Sequence, residues 1–231
     1  MRRSAHGRIL LKLSGEAFKG PEGALSDSAF DRITQEVASD DNAQLAIVVG
    51  GGNILRGART DAYPRIEADS LGMLATVLNA LAFRLKLEAA GRSVLVQSAI
   101  HTELTEDIDI RAAKDALEAG SIVIFAGGTG SPLVSTDTAA AIRAVSIGAD
   151  LIAKASTVNG VYNGDPAADP SAKRLTEVSF DDFLANRYGV MDLPAVEICR
   201  QHRLPIEVFD FTQSGALARL ASGERVGTRI S

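Results

Sequence analysis

Ile47-Val48-Val49-Gly50-Gly51-Gly52-Asn53-Ile54-Leu55-Arg56-Gly57 carries an apolar strand straight into three consecutive glycines and then an arginine. Glycines permit a turn with φ > 0 and let backbone approach a ligand without Cβ interference, so bare N–H groups can face an oxyanion. The pattern is neither G-x-x-x-x-G-K-[ST] nor G-x-G-x-x-G, the two commonest nucleotide fingerprints. Read alone, the stretch stands between a tight βα turn and a phosphate loop.

A second turn of the same kind lies further along. The apolar run Ser121–Ala126 ends in Gly127-Gly128-Thr129-Gly130-Ser131-Pro132, and Ser135-Thr136-Asp137 then caps an Ala-rich helix that stops at Gly148. Strands are also expected at Arg8–Leu13, closed by Ser14-Gly15, and at Ser93–Gln97, Asp150–Ser156, Ile206–Phe209 and Arg225–Ile230. Helices are expected from Asp27 or Ser28 to about Ser39, from Asp69 through Leu85, over Asp109–Glu118, from Ser179 with Asp182 three residues on, from Asp192, and over Gly215–Ser222. Arg59–Glu67, with Pro64, reads as irregular, Asn159-Gly160 as a hairpin turn, and Asn163–Pro170 as a long polar loop. Strands alternating with helices imply an α/β protein, a three-layer αβα sandwich around a mainly parallel sheet. Ligands in such sheets collect outside the carboxyl ends of the strands, where helix N-termini favour anions.

At 231 residues the chain fits one large domain or two closely packed lobes. A formal charge of −5, 5% aromatics and no Trp argue against a nucleic-acid surface, since the one basic cluster is Arg2-Arg3 at a terminus. Cys199 is the sole cysteine, so no intrachain disulfide forms and plain helix packing is its expected role. Nothing at the N-terminus has signal-peptide form, and the longest uncharged apolar run, Ser70–Phe83, falls short of the ~20 residues of a membrane span. The expectation is a cytoplasmic protein that engages neither membrane nor nucleic acid.

Lys12 and Lys154 each sit inside an apolar strand. A buried ammonium needs an anion, so Lys12 is either a phosphate ligand or an edge-strand lysine reaching solvent. With Arg56 and the carboxylates Asp69, Asp137, Asp165 and Asp192, this inventory suits phosphoryl transfer, where positioning and charge neutralisation supply most of the catalysis. Asp69 reads either as a helix cap or as an acceptor for sugar hydroxyls. No His/Cys set has zinc spacing and no His lies in a nucleophile context, so hydrolase readings fall away and no metal-ligand set is assigned. The helix after Asp69 is apolar over most of its circumference, which means deep burial or an intersubunit face.

Over nearly its whole length the chain resembles the amino-acid kinase fold family, and within it the bacterial uridylate (UMP) kinases. The pieces that carry the resemblance are Leu10-Leu11-Lys12-Leu13-Ser14-Gly15-Glu16, Gly50-Gly51-Gly52-Asn53 with Arg56-Gly57, Asp69 with Gly72-Met73-Leu74-Ala75-Thr76, and Gly128-Thr129-Gly130 with Thr136-Asp137. Gly160-Val161-Tyr162 with Asp165-Pro166, and Val190-Met191-Asp192-Leu193, complete the set. The resemblance implies transfer of the γ-phosphoryl of ATP to UMP with Mg²⁺, a homohexamer, inhibition by UTP and activation by GTP. It implies one kinase domain with an acceptor lobe over residues 1–148 and an ATP lobe over 149–231.

Residue by residue, it implies that Lys12, Leu13, Ser14 and Gly15 hold the ATP phosphates and the transferring phosphoryl, with Asp137 orienting Lys12. Gly51 and Arg56 take the UMP phosphate, Arg56 also reaching the donor phosphates, with Gly52 on the ATP side and Asp69 on the ribose hydroxyls. Thr129, Gly130, Ser131, Pro132, Leu133, Val134, Ser135 and Thr136 wrap uracil and phosphate. Ser156, Tyr162 and Asp165 bind the adenine nucleotide, Asp192 is a further catalytic carboxylate, and Lys154 a second cation on the β- or γ-phosphate. The chain departs from the family pattern at Ser131, where Asn is expected, and at Leu133-Val134, where aromatics are. It departs again at Thr157 and Asn159, where Lys and Asp are common, and at Leu25, where Gly often ends the effector-linked loop. The competing readings are a sibling kinase acting on a carboxylate, carbamate or prenyl phosphate, and a noncatalytic nucleotide-binding assembly.

Overall fold

The computed structural model describes residues 7–39, 43–56, 62–164 and 171–231. Nine strands form one sheet: β1 (Arg8–Leu13), β2 (Gln44–Val49), β3 (Val94–Ser98), β4 (Glu106–Asp107), β5 (Ile122–Ala126), β6 (Leu151–Ser156), β7 (Glu177–Val178), β8 (Ile206–Asp210) and β9 (Thr228–Ile230). Their order is β4-β3-β5-β2-β1-β6-β8-β9-β7, and every pairing is parallel except β8 with β9. The sheet runs unbroken from β1 to β6, across residue 148.

Period-two alternation sorts the strand residues onto two helical layers. Ile9, Leu11 and Leu13 of β1 point to the layer of α1 (Asp27–Ala38), α2 (Arg65–Ala89) and α7 (Ala216–Ala221). Leu10 points to the layer of α3 (Ile110–Glu118), α4 (Thr136–Ile147), α5 (Phe180–Asn186) and α6 (Leu193–His202). Both faces are dry, which is why the central strands read as continuous apolar runs. The expected αβα sandwich is the fold.

α2 spans 25 residues and is, by length and composition, apolar enough to cross a membrane. It exceeds the run Ser70–Phe83 because Arg65 to Asp69 and the residues through Ala89 extend the helix at both ends. Ala68, Ala75, Val77, Ala80, Phe83 and Leu87 are buried, and the last four belong to the core above the sheet, while Leu71, Leu74, Leu78 and Leu85 are exposed. One side of α2 is therefore core, as the reading of deep burial expects, and the other is a row of exposed leucines.

Several local expectations are corrected. Ser26, rather than Asp27 or Ser28, caps α1, its hydroxyl accepting from the Ala29 N–H. α2 begins at Arg65, directly after Pro64, so the segment expected to be irregular through Glu67 is already helical there. Asp69 therefore lies one turn inside α2 and is no cap. Asn159-Gly160 does not close a hairpin: Tyr162 bridges to Arg174, and the Val161 N–H is taken by Thr228 Oγ1 at 2.8 Å. β9 starts at Thr228 rather than Arg225 because buried Glu207 accepts the Val226 and Gly227 N–H groups, turning the chain before the ladder begins. A second buried carboxylate, Glu36 of α1, accepts the Gly215 and Leu217 N–H groups and so supplies the cap that α7 lacks locally.

Candidate active site

The strand after β1 in the chain, β2, lies on one side of it, and the strands after β6, β7 and then β8, lie on the other, so the carboxyl ends of β1 and β6 bound a topological switch point. A cleft of about 370 Å³ opens beside it. It is lined by Lys12, Ser14 and Gly15 after β1, by Gly50, Gly51, Gly52 and Arg56 after β2, and by Arg65, Asp69, Gly72, Met73 and Thr76 of α2. Gly128, Ser131, Leu133, Val134, Ser135 and Thr136 close it from the β5–α4 connection, and Asp192 from the start of α6.

The triglycine turn is built by contact rather than by unusual torsion. None of Gly15, Gly50, Gly51 or Gly52 has positive φ. A Cβ on Gly15 would stand 2.3 Å from the Gly52 nitrogen, one on Gly50 2.7 Å from the Gly15 nitrogen, and one on Gly51 2.5 Å from the Gly72 carbonyl oxygen. The turns after β1 and β2 therefore touch backbone to backbone, and α2 lies directly on the second of them. The φ > 0 expectation belongs to the other turn, where Gly127, Gly128 and Gly130 have φ of 73°, 58° and 80°.

Two buried polar residues of α2 tie these turns together. Asn79 donates to the Gly50 carbonyl at 2.7 Å and exchanges hydrogen bonds with the Asn53 amide, while Asn53 also donates to the Ala24 carbonyl. Thr76 Oγ1 accepts the Gly127 N–H at 2.7 Å. Thr76 was visible within the Gly72–Thr76 motif. Asn79 and Arg65 belong to no motif of the sequence, and the signal for Asn79 is a polar residue at helical spacing inside an apolar stripe.

The charged centre follows from register. Lys12 pairs with Lys154 across β1 and β6, and period two turns both side chains to the α4 face. Both are buried, and Asp137 in the first turn of α4 meets both: its Oδ1 lies 2.8 Å from Lys12 Nζ and also accepts from Lys154 Nζ. Burial pushes the Asp137 carboxyl up, but the two ammonium groups outweigh it and hold the group well below the usual carboxylate range. Burial and the neighbouring Lys12 charge pull Lys154 down to about 8 despite Asp137. The Asp192 carboxylate accepts from Ser135 Oγ at 2.5 Å and Thr138 Oγ1 at 2.8 Å, joining the N-termini of α6 and α4, and its buried Oδ1 has no partner among the described residues.

The remaining expected residues are distributed as follows. Leu13 is buried in the core, and its carbonyl accepts the Gly50 N–H at 2.8 Å. Thr129, Gly130 and Pro132 share the β5–α4 loop without lining the cleft. Ser156 ends β6, its hydroxyl accepting the Val158 N–H, and the Tyr162 hydroxyl donates to Asn159 Oδ1; neither lines the cleft. Asp165 lies outside the described residues. Arg56 folds over Gly52 with its Nε 3.6 Å from Glu16 Oε1, at the open side of the cleft.

A family profile for the amino acid kinase family matches residues 7–210. The chain belongs to that family. The uridylate kinase of Methylococcus capsulatus is 43% identical over 236 residues, covering 100% of this chain and 99% of its own. Among solved structures, the UMP kinase of Bacillus anthracis superposes with a TM-score of 0.94 at 35% identity, covering 98% of this chain and 96% of that one. The UMP kinase of Ureaplasma parvum gives 0.91 at 30% identity over the full length of both.

For an amino acid kinase this arrangement supplies what phosphoryl transfer asks for: Lys12, close-set glycine turns and the start of α4 line one cleft, while Lys154 and Asp137 lie behind Lys12 without lining it. Among the described residues no three Asp, Glu, His or Cys side chains come together as a metal cage. Asp137, the one carboxylate at the charged centre, is shared by two ammonium groups that repel a further cation.

The depressed Lys154 has a testable sign. Between about pH 8 and its unfolded value near 10.4 the unfolded chain holds a proton there that the folded one has released, so stability of the nucleotide-free protein rises with pH in that window. kcat/KM should move the other way, falling above about pH 8 as the cation is lost. Thermal melts and rates from pH 7 to 10, compared between the wild type and Lys154→Met, check both; identical pH slopes in the two proteins would exclude Lys154 as the group responsible.

Proposed function

We propose that this chain is a kinase that moves the γ-phosphoryl of ATP onto UMP, giving UDP and ADP for pyrimidine nucleotide and hence CTP synthesis. Full-length likeness to uridylate kinases is the observation that carries this reading. Lys12 and Lys154 then neutralise the transferring phosphoryl, with Asp137 fixing both. The Ser14-Gly15 turn and Gly52 hold the donor phosphates. Gly51 and Arg56 hold the acceptor phosphate in line, Asp69 takes the ribose hydroxyls, and the loop Thr129–Thr136 encloses the base. Asp192, through Ser135 and Thr138, sets the start of α4 against the acceptor. Ser156, Tyr162 and Asp165 form the adenine side within residues 149–231, while the acceptor residues and the turns that hold the donor phosphates lie in 1–148.

The same reading includes MgATP as donor, a cytoplasmic homohexamer with the exposed leucines of α2 at a subunit contact, inhibition by UTP, and activation by GTP modified by Leu25 in the effector-linked loop. ADP release with UMP, CMP and dUMP as acceptors, with and without GTP, tests it. UMP is the expected acceptor. Turnover of a carboxylate, carbamate or prenyl phosphate instead would assign the chain to a sibling activity, and ATP binding with no acceptor turned over would favour the noncatalytic reading.

A further inference from the structure

The acceptor side of the cleft contains a three-point latch that no motif announced. Arg65, the first residue of α2, donates from Nε to Asp69 Oδ2 at 2.9 Å, and the Leu133 N–H donates to the same oxygen at 2.9 Å. Leu133 belongs to the loop between β5 and α4, so one carboxylate oxygen fastens that loop to α2. Leu133 is held at φ 67°, in the left-handed region that disfavours a side chain. The other two non-glycine residues with positive φ, Arg187 and Arg203, are helix C-caps, where that conformation is routine. At Leu133 no helix end explains it, and the conformation coincides with presenting the N–H to Asp69.

The opposite oxygen, Asp69 Oδ1, has no protein donor among the described residues, although the side chain is only 16% exposed and lines the cleft. Arg65 lines the cleft too, with one of its five N–H donors engaged by Asp69. A carboxylate fixed through one oxygen, with no donor among the described residues at the other, recognises a hydroxyl by direction as well as charge.

We infer that Arg65 is a positioning residue for acceptor recognition: with the Leu133 N–H it locks Asp69 Oδ2, so that Oδ1 is aimed at the acceptor sugar and the site prefers ribose over 2′-deoxyribose. This rests on the UMP kinase reading and adds to it a residue, Arg65, that sets how the ribose is read. Arg65 is half exposed, so its bond to Asp69 contributes little to folding, and its effect falls on the acceptor.

The test is steady-state kinetics with UMP and dUMP at saturating ATP for the wild type, Arg65→Ala, Arg65→Lys, Asp69→Asn and the Arg65→Ala/Asp69→Asn double variant, with thermal melts of each. Arg65→Ala should raise KM for UMP about tenfold, the scale for a hydrogen bond to a charged group, change kcat much less, and bring the UMP and dUMP specificities together. Arg65→Lys should recover part of the loss. The double variant should be little worse than Asp69→Asn alone, because Arg65 acts through Asp69. An unchanged UMP-to-dUMP ratio in Arg65→Ala, additive effects in the double variant, or a KM loss matched by a fall in melting temperature would each overturn the inference while leaving UMP kinase activity in place. A wild type that turns over neither nucleotide would overturn both the inference and the function on which it rests.

Discussion

Replacing Lys12 with alanine lowers kcat/KM for UMP by about 10²–10³, the scale for losing one preorganised electrostatic contact in an active site. Lys12 is 5% exposed, so its charge acts on a phosphoryl group through little water, and its position is set from below by Leu10 in the core and from the side by Asp137. Among the described residues the other cations of the site are engaged elsewhere, Arg65 by Asp69. Lys154 is already bonded to the same carboxylate oxygen, and Arg56 stands at the exposed rim beside Glu16. The α4 N-terminus and the glycine turns remain, so activity is reduced and not abolished. Because charge builds on the transferring oxygens in the transition state, the loss should fall on kcat more than on KM for UMP. A variant with wild-type kcat would remove Lys12 from the chemistry; a rise confined to KM would make it a ground-state binding group.

The layers of this fold were legible because its long elements are strongly patterned. The runs at 9–13, 44–49, 122–126 and 151–156 are apolar on both faces and cannot be anything but interior strands once helices alternate with them. What escaped is what depends on distant partners. β4 and β7 have two residues each and no period to read. Asn159-Gly160 has hairpin chemistry, but Thr228 takes the next N–H from 67 residues away and Arg174 pairs with Tyr162, so tertiary bonds override the local turn. The first glycine cluster is expected to admit the close approach of a ligand, whereas what approaches Gly50, Gly51 and the neighbouring Gly15 in the structure is the protein's own backbone. Lys12 and Lys154 each stood out as misplaced in a strand. Only the β1–β6 register shows that they are neighbours held by one aspartate, and only the loop's path shows that Arg65 and Leu133 meet at Asp69.

Asp137→Asn should be the most damaging conservative substitution in the chain for stability. It keeps the shape and removes the one anion between two buried ammonium groups, and breaking a buried pair in this way costs about 3–5 kcal/mol because a charge is left uncompensated. In a domain of this size that is a drop in melting temperature of roughly 6–20 °C. The loss has a pH signature. Asp137 in the wild type is held well below the ordinary carboxylate range, so its stabilisation is fully present above about pH 4 and is lost as acid titrates it. In the variant the carboxylate is gone, and the strain is relieved from the other side: Lys154, already drawn down to about 8, loses its attractive neighbour and releases its proton at lower pH still. The deficit against wild type should therefore be large at pH 6 and shrink toward pH 9. Lys154→Met/Asp137→Asn, which leaves one buried ammonium in place of two, should recover part of it at pH 6. Melting curves of the three proteins at both pH values decide the matter: an Asp137→Asn protein that melts with the wild type at pH 6 would mean that the two lysines are already solvated or neutral. Asp137 would then serve catalysis alone, and the charged centre would need no internal anion to fold.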